Sequence, residues 1–99
     1  MLVDIEELKR LNKKAGQFWF DADTTRFFKS RYSQTAEKVG NKAYFITSEQ
    51  FDLTSPRLYS IRVFDYATSG VNTIGEFQDY KTHSQAGGAL KLILNKERR

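Results

Sequence analysis

The chain has no cysteine, one proline, one histidine and one tryptophan. Without cysteine there is no disulfide framework, no thiolate metal site and no cysteine nucleophile, a composition that fits a reducing compartment. A single histidine, His83, with carboxylates scattered along the chain cannot assemble the several ligands of a zinc site. It also lacks the second group that would orient it toward Ser84 in a hydrolytic site, so it is expected to face solvent. Apolar runs are short, such as "FWF" and "YFI", which excludes a transmembrane helix. The opening "MLVDIEELKR" has no basic segment leading into an apolar one, so it does not read as a secretory signal. Internal repeats, low-complexity tracts and linkers are missing as well. The 99 residues therefore read as one α+β domain spanning 1–99, large enough to bury a core without staples.

What the chain does have is charge of both signs and many aromatics. Sixteen basic residues against twelve acidic ones give +4, and the last four residues, with Lys96, Arg98 and Arg99 beside Glu97, hold +2 of that. The remainder is close to balanced, as on an ordinary solvated surface. Eight Phe, five Tyr and one Trp suit short strands with a half-buried face.

"VDIEELKRLNKKAG" predicts an amphipathic N-terminal helix, with Asp4 as N-cap and Glu7 at the capping-box spacing. Ile5, Leu8, Leu11 and Ala15 form its inward stripe, and Gly16 ends it. In "QFWFDADTTRFFKSRYS" the first residues look extended, with Phe18 and Phe20 expected in the core. Asp21 or Asp23 can then cap a short helix over "TTRFFKS", with Phe27 and Phe28 turned inward and Arg26 and Lys29 on the outer face. "RYSQTAEKV", "KAYFITSE", "RLYSIRVFD" and "VNTIGEFQ" read as four strands joined by short connections, a four-stranded antiparallel meander. "THSQAGGALKLILNKERR" predicts a C-terminal helix capped by Thr82 or Ser84, with Ala86, Ala89, Leu90, Ile93 and Leu94 inward. Each glycine of Gly87-Gly88 costs about 1 kcal/mol in a helix relative to alanine. A close approach of the sheet is therefore expected there, or a helix that starts only after the pair. The expected architecture is this meander flanked by an N-terminal helix, a short helix and a C-terminal helix, with the helices covering one face.

The succession "EELKRLNKKAG", "FWFDADTTRFFKSR", "YFITSEQFD", "PRLYSIRVFD" and "VNTIGEFQDYKTHSQA" resembles a family of small uncharacterised accessory proteins encoded by bacteriophages and mobile elements. The resemblance covers nearly the whole chain and is most specific at F-x-D-x-D-T-x-R-F-F-x-S-R and T-I-G-E-F-Q-x-Y. The chain departs from the pattern at Thr25, where a bulkier apolar residue is expected, and at Gly87-Gly88, where alanines are. The resemblance implies an accessory role in the cytoplasm of a bacterial host. It points to an inhibitor of host defence, of anti-CRISPR or anti-restriction type, that binds a host protein or a protein–nucleic-acid complex. It transfers no catalytic residue.

The residues themselves carry no enzymatic signature. Asp21 and Asp23 with Asp52 are the candidate carboxylates for a magnesium or acid–base site, but Asp21-Ala22-Asp23-Thr24 lacks the remaining ligands and the glycine of a calcium loop. Helix capping accounts for it better. "TSGVNTIG" lacks the lysine and helix of a phosphate loop and reads as a hairpin turn. The expectation is a binding protein with no enzymatic activity, cofactor, metal or membrane contact. Two surfaces are candidates. In one, Arg26, Lys29 and Arg31 meet phosphates, Arg57 and Arg62 extend the basic surface, and Tyr32 and Tyr44 stack on bases, although strand parity puts Arg57 and Arg62 on opposite faces. In the other, a protein partner is anchored by Trp19, Tyr66 and Tyr80, with Arg62 and Phe64 on an uncovered sheet face. A homodimer paired through an exposed strand edge is a third option.

Overall fold

The computed structural model describes residues 1–20 and 29–97, with residues 29–31 described by backbone alone. The elements run β1 (Leu2–Asp4), α1 (Ile5–Lys14), β2 (Lys29–Tyr32), β3 (Thr35–Val39), β4 (Lys42–Gln50), β5 (Leu58–Asp65), β6 (Gly70–Ile74) and α2 (His83–Glu97). The strands form one antiparallel sheet in the order β1-β3-β4-β5-β6, with β2 also on β4. The expected meander is β3 to β6, and β1 and β2 extend it.

Since β5 occupies one side of β4 along nearly its whole length, β2 and β3 share the other side. They behave as one strand broken at Ser33-Gln34. Tyr32 pairs with Thr47 and Glu37 with Tyr44, so five steps on one strand match three on the other, and two residues bulge out. Ser33 holds this break. Its N–H and Oγ–H both donate to the Ile46 carbonyl (3.0 and 2.9 Å), and its Oγ accepts the Ile46 N–H (3.2 Å). A hydroxyl thus completes the ladder where the backbone register fails.

Each helix forms for reasons written locally. Asp4 takes the N-cap position of α1 in extended conformation, but its side chain makes no cap bond. The helix ends in a Schellman motif. Gly16 at φ 76° donates to the Lys13 carbonyl and Gln17 donates to that of Asn12, which satisfies the last-turn acceptors. Ile5, Leu8 and Asn12 are its buried residues, whereas Ala15 is exposed. At α2 it is Thr82 that caps, its Oγ1 accepting the Gln85 N–H at 3.1 Å, while Gln85 Oε1 accepts the Lys81 N–H.

Three expectations need correction. The last two residues of "TTRFFKS" are not helical, because Lys29 and Ser30 open β2; the rest of the expected short helix, with Asp21, Asp23, Thr25, Arg26, Phe27 and Phe28, lies outside the described residues. The helices do not share one face. Ala43, Phe45 and Phe64 pack with Ile5 and Leu8 of α1, while Tyr44 and Val63, of opposite parity, meet Ile93 and Lys96 of α2. Both faces of β4 and β5 are apolar, so each needs its own cover. Finally, α2 runs straight through Gly87-Gly88, and a Cβ added at either would meet nothing within 4 Å. No close approach explains the pair.

Candidate binding surface

The arginine that sequence parity placed beside Phe64 is bound through all three of its guanidinium nitrogens. Arg62 and Phe64 do lie on one face, but that face is covered: Arg62 is 5% and Phe64 0% exposed. They are interior residues and form no open patch. Phe64 joins Ile5 and Leu8 of α1 and Trp19 in the core, and Arg62 is drawn in by its partners Thr47, Glu49 and Thr73, which is the physical reason the expected surface is absent.

Arg62 is held on every side. Its Nη2 donates to Glu49 Oε1 (2.9 Å), its Nε to Thr47 Oγ1 (3.0 Å) and its Nη1 to Thr73 Oγ1. Thr47 in turn donates to Glu49 Oε1 at 2.8 Å. The guanidinium carbon lies 5.2 Å from the Trp19 ring centroid and 5.1 Å from that of Phe77, so the cation sits against two aromatic faces. Glu49 Oε2 is buried without a hydrogen-bond partner. A buried ion pair with one oxygen unsatisfied fixes geometry more than it adds net stability.

Two loops bring the aromatic rings to this arginine, and a buried polar side chain pins each. Asn12 accepts the Trp19 N–H on Oδ1 and donates from Nδ2 to the Ser69 carbonyl, both at 2.7 Å. Ser60 Oγ accepts the Gln78 N–H at 2.8 Å. In each loop a residue with a side chain adopts the left-handed region, Phe18 at φ 52° and Gln78 at φ 59°, a conformation uncommon for anything but glycine. The result exposes Phe18 and Phe77, at 46% and 47%, Phe18 next to Trp19 in sequence and Phe77 against the Arg62 guanidinium. Trp19 itself is half-buried and packs edge-on against Phe20 and Phe45. It closes the core.

The other candidates scatter. Arg57 is half-buried and donates to Ser48 and Gln50, on the opposite face from Glu49, as parity required. Tyr44 is buried, and the Tyr32 hydroxyl donates to the Phe20 carbonyl at 2.7 Å, so neither ring is free to stack on a base. Lys29 and Arg31 occupy β2, opposite Gln50 and Ser48 in the ladder. Tyr66 and Tyr80 are half-buried; Tyr66 leans on Phe64, and Tyr80 forms an isolated bridge with Tyr59. His83 is exposed at the first position of α2, as expected.

Asp52 spends its carboxylate on its own loop. Oδ1 accepts from the backbone N–H and the hydroxyl of both Thr54 and Ser55. The Thr54 hydroxyl foremost, then that of Ser55, holds its pKa below the usual aspartate value. Among the described residues no group of three or more His, Asp or Glu could hold a metal ion, and no helix is long and apolar enough to cross a membrane.

Sequence reasoning missed Phe18 and Phe77 as surface residues. Aromatic content and strand parity favour burial for both, and only the Gly75 turn (φ 73°) inside "TIGEFQ" signals that Phe77 leaves the strand. No curated protein and no solved structure matches the chain. A model of a family of unknown function, DUF7447, does match residues 4–91, from the N-cap of α1 into α2, and the chain belongs to that family.

Proposed function

We propose that this protein acts by binding a host protein, without catalysis, as an accessory of a phage or mobile element that inhibits a host defence enzyme. The phage setting rests on the motif resemblance. The binding mode rests on one structural observation: exposed Phe18 and Phe77 are carried by two pinned loops whose rings Trp19 and Phe77 pack on a buried, ion-paired Arg62. Protein interfaces draw their energy from a few rigid aromatic anchors, and pinning lowers the ordering cost of binding. The helices over both sheet faces argue against a sheet that stacks bases. Arg62 and Tyr44 are interior, which leaves the phosphate-contact reading with fewer groups than the sequence offered it; burial of Arg62 and Phe64 likewise removes the patch first offered for a protein partner, whose anchors become Phe18 and Phe77.

The test pairs two assays. Fluorescence anisotropy with single-stranded DNA, duplex DNA and RNA at roughly 50 and 200 mM salt reads phosphate contacts through their steep salt dependence. Binding to purified host defence nucleases reads the protein interface. The expected result is nuclease binding weakened by at least about tenfold in Phe18→Ala/Phe77→Ala, with little dependence on salt. Tight, salt-steep nucleic-acid binding that survives Phe18→Ala/Phe77→Ala and is lost in Arg26→Ala/Lys29→Ala/Arg31→Ala would overturn it in favour of nucleic acid.

A further inference from the structure

The α2 side of the sheet holds a separate feature. Between the bulge at Ser33 and the first turn of α2 lies a cavity of about 100 Å³, lined chiefly by Tyr32, Ser33, Ile46, Ser48, Tyr59 and His83. Two of its polar groups are spent internally: Ser33 on Ile46, and the Tyr32 hydroxyl on Phe20. Three are not. The Ser48 Oγ accepts from Arg57 Nη1 at 3.1 Å, which leaves its own O–H to donate. Neither the Tyr59 hydroxyl nor the His83 ring makes a hydrogen bond among the described residues, and the two rings meet edge to face at 5.9 Å.

These donors come from three elements, β4, β5 and α2, and no carboxylate is among the described lining residues. Positive charge stands directly behind them. The Arg57 guanidinium reaches the Ser48 carbonyl (3.4 Å), its Oγ, and Gln50 Oε1 (3.3 Å). A recess that offers donors, backs them with guanidinium charge and presents no acid is complementary to an oxyanion.

We propose that this cavity binds a phosphate group, with the Ser48 hydroxyl, the Tyr59 hydroxyl and the His83 ring N–H donating to its oxygens and Arg57 supplying the countercharge. A tetrahedral oxyanion accepts donors arriving from several elements, whereas a planar carboxylate is best met by one fork. The cavity lies on the opposite face from the Phe18–Phe77 surface, so it stands or falls independently of the protein-binding reading.

The test is titration of the isotope-labelled full chain with inorganic phosphate at constant ionic strength, with chloride as control, followed by NMR amide shifts. The expected result is saturable shifts confined to Ser48, Tyr59, His83 and their neighbours. Tyr59→Phe and His83→Asn should each weaken binding by about tenfold or more, the range for a hydrogen bond to a charged group. His83 is exposed and Tyr59→Phe removes one oxygen, so both variants should keep the wild-type melting temperature and spectrum. A second arm uses an oligonucleotide with and without a 5′-phosphate; whichever of the free ion, terminal phosphate and backbone phosphate binds most tightly identifies the source. Absence of saturable shifts at these residues with every probe, or shifts that neither variant weakens, would overturn the proposal.

Discussion

The two faces of the sheet are covered in opposite ways. On the α1 side a ten-residue helix suffices. Ala43, Phe45, Thr47 and Glu49 of β4 and Ser60, Arg62 and Phe64 of β5 are all buried; Thr47, Glu49 and Arg62 are tied into one network, and Ser60 holds the Gln78 N–H. On the other side α2 is five residues longer (fifteen against ten), yet only its Ala86 is buried. Beneath it Tyr44, Ile46, Ser48 and Ile61 are buried, but Tyr59 and Val63 remain half-buried. Helix length does not decide coverage. Coverage follows from an apolar stripe that meets the sheet squarely, which Ile5 and Leu8 provide on α1. The loosely roofed face is where a ligand-sized recess survives, and the tightly closed one is where rigid loops are built.

The largest expected effect breaks the closed face. Arg62→Ala leaves Glu49 charged and without its cation in the interior, and it should cost about 3–5 kcal/mol, read as a lowered midpoint in urea unfolding. The double variant Glu49→Leu/Arg62→Met removes both charges and should recover most of that loss. If Arg62→Ala instead costs less than about 1 kcal/mol, the level of an exposed pair, the α1 side is not the closed face described.

Next comes the pin beneath Trp19. Asn12→Ala removes an acceptor and a donor at a buried site and strands the Trp19 N–H and the Ser69 carbonyl. Loss of about 2 kcal/mol is expected, together with a red-shifted Trp19 emission as the ring gains water. An unchanged emission spectrum would show that Trp19 is held by ring packing alone.

The contrast between the faces was partly legible in the sequence. "RLYSIRVFD" alternates, so β5 and the opposite facing of Arg57 and Arg62 could be read directly. "KAYFITSE" carries apolar residues at consecutive positions, the mark of a strand covered on both sides, yet parity alone could not say which helix covers which face. The candidate site was harder. Arginine reads as surface by default, and what buries Arg62 is its set of partners at Thr47, Glu49 and Thr73 on two neighbouring strands, which no local spacing reveals. Phe18 and Phe77 reverse the same rule. Their loops are set by the bonds of their neighbours Trp19 and Gln78 to Asn12 and Ser60, and burial preferences cannot anticipate that. The Ser33 bulge was invisible because "RYSQTAEKV" has no glycine to mark it.

A smaller effect of opposite sign probes the loose face. Since nothing stands within 4 Å of a Cβ at Gly87 or Gly88, Gly87→Ala and Gly88→Ala should each stabilise the fold by roughly 0.5–1 kcal/mol through helix propensity and a less flexible unfolded chain. Differential scanning calorimetry of the single and double variants checks this. Destabilisation by either alanine would mean that α2 sits closer to the sheet than the open space around the glycines allows.

The smallest effect compares the faces with one reporter each. Tyr44 lies on the α2 side and Tyr66 on the α1 side, and both phenols have pKa values raised above the ordinary 10.0. Burial is the first cause for both, with Glu97 adding to it at Tyr44 and Glu7 at Tyr66. A raised phenol pKa means that the folded state holds its proton more tightly than the unfolded chain. The stabilisation is complete below the ordinary tyrosine value and is lost as pH rises from there through the folded-state pKa. Stability should therefore fall in that alkaline window, and phenolate absorbance should show two tyrosines titrating late. Because the carboxylates are secondary causes, Glu97→Gln should lower the Tyr44 pKa only in part and leave Tyr66 unmoved, while Glu7→Gln does the reverse. If either variant moves both phenols together, the faces are electrostatically coupled through the sheet and their separation into a closed and an open side fails.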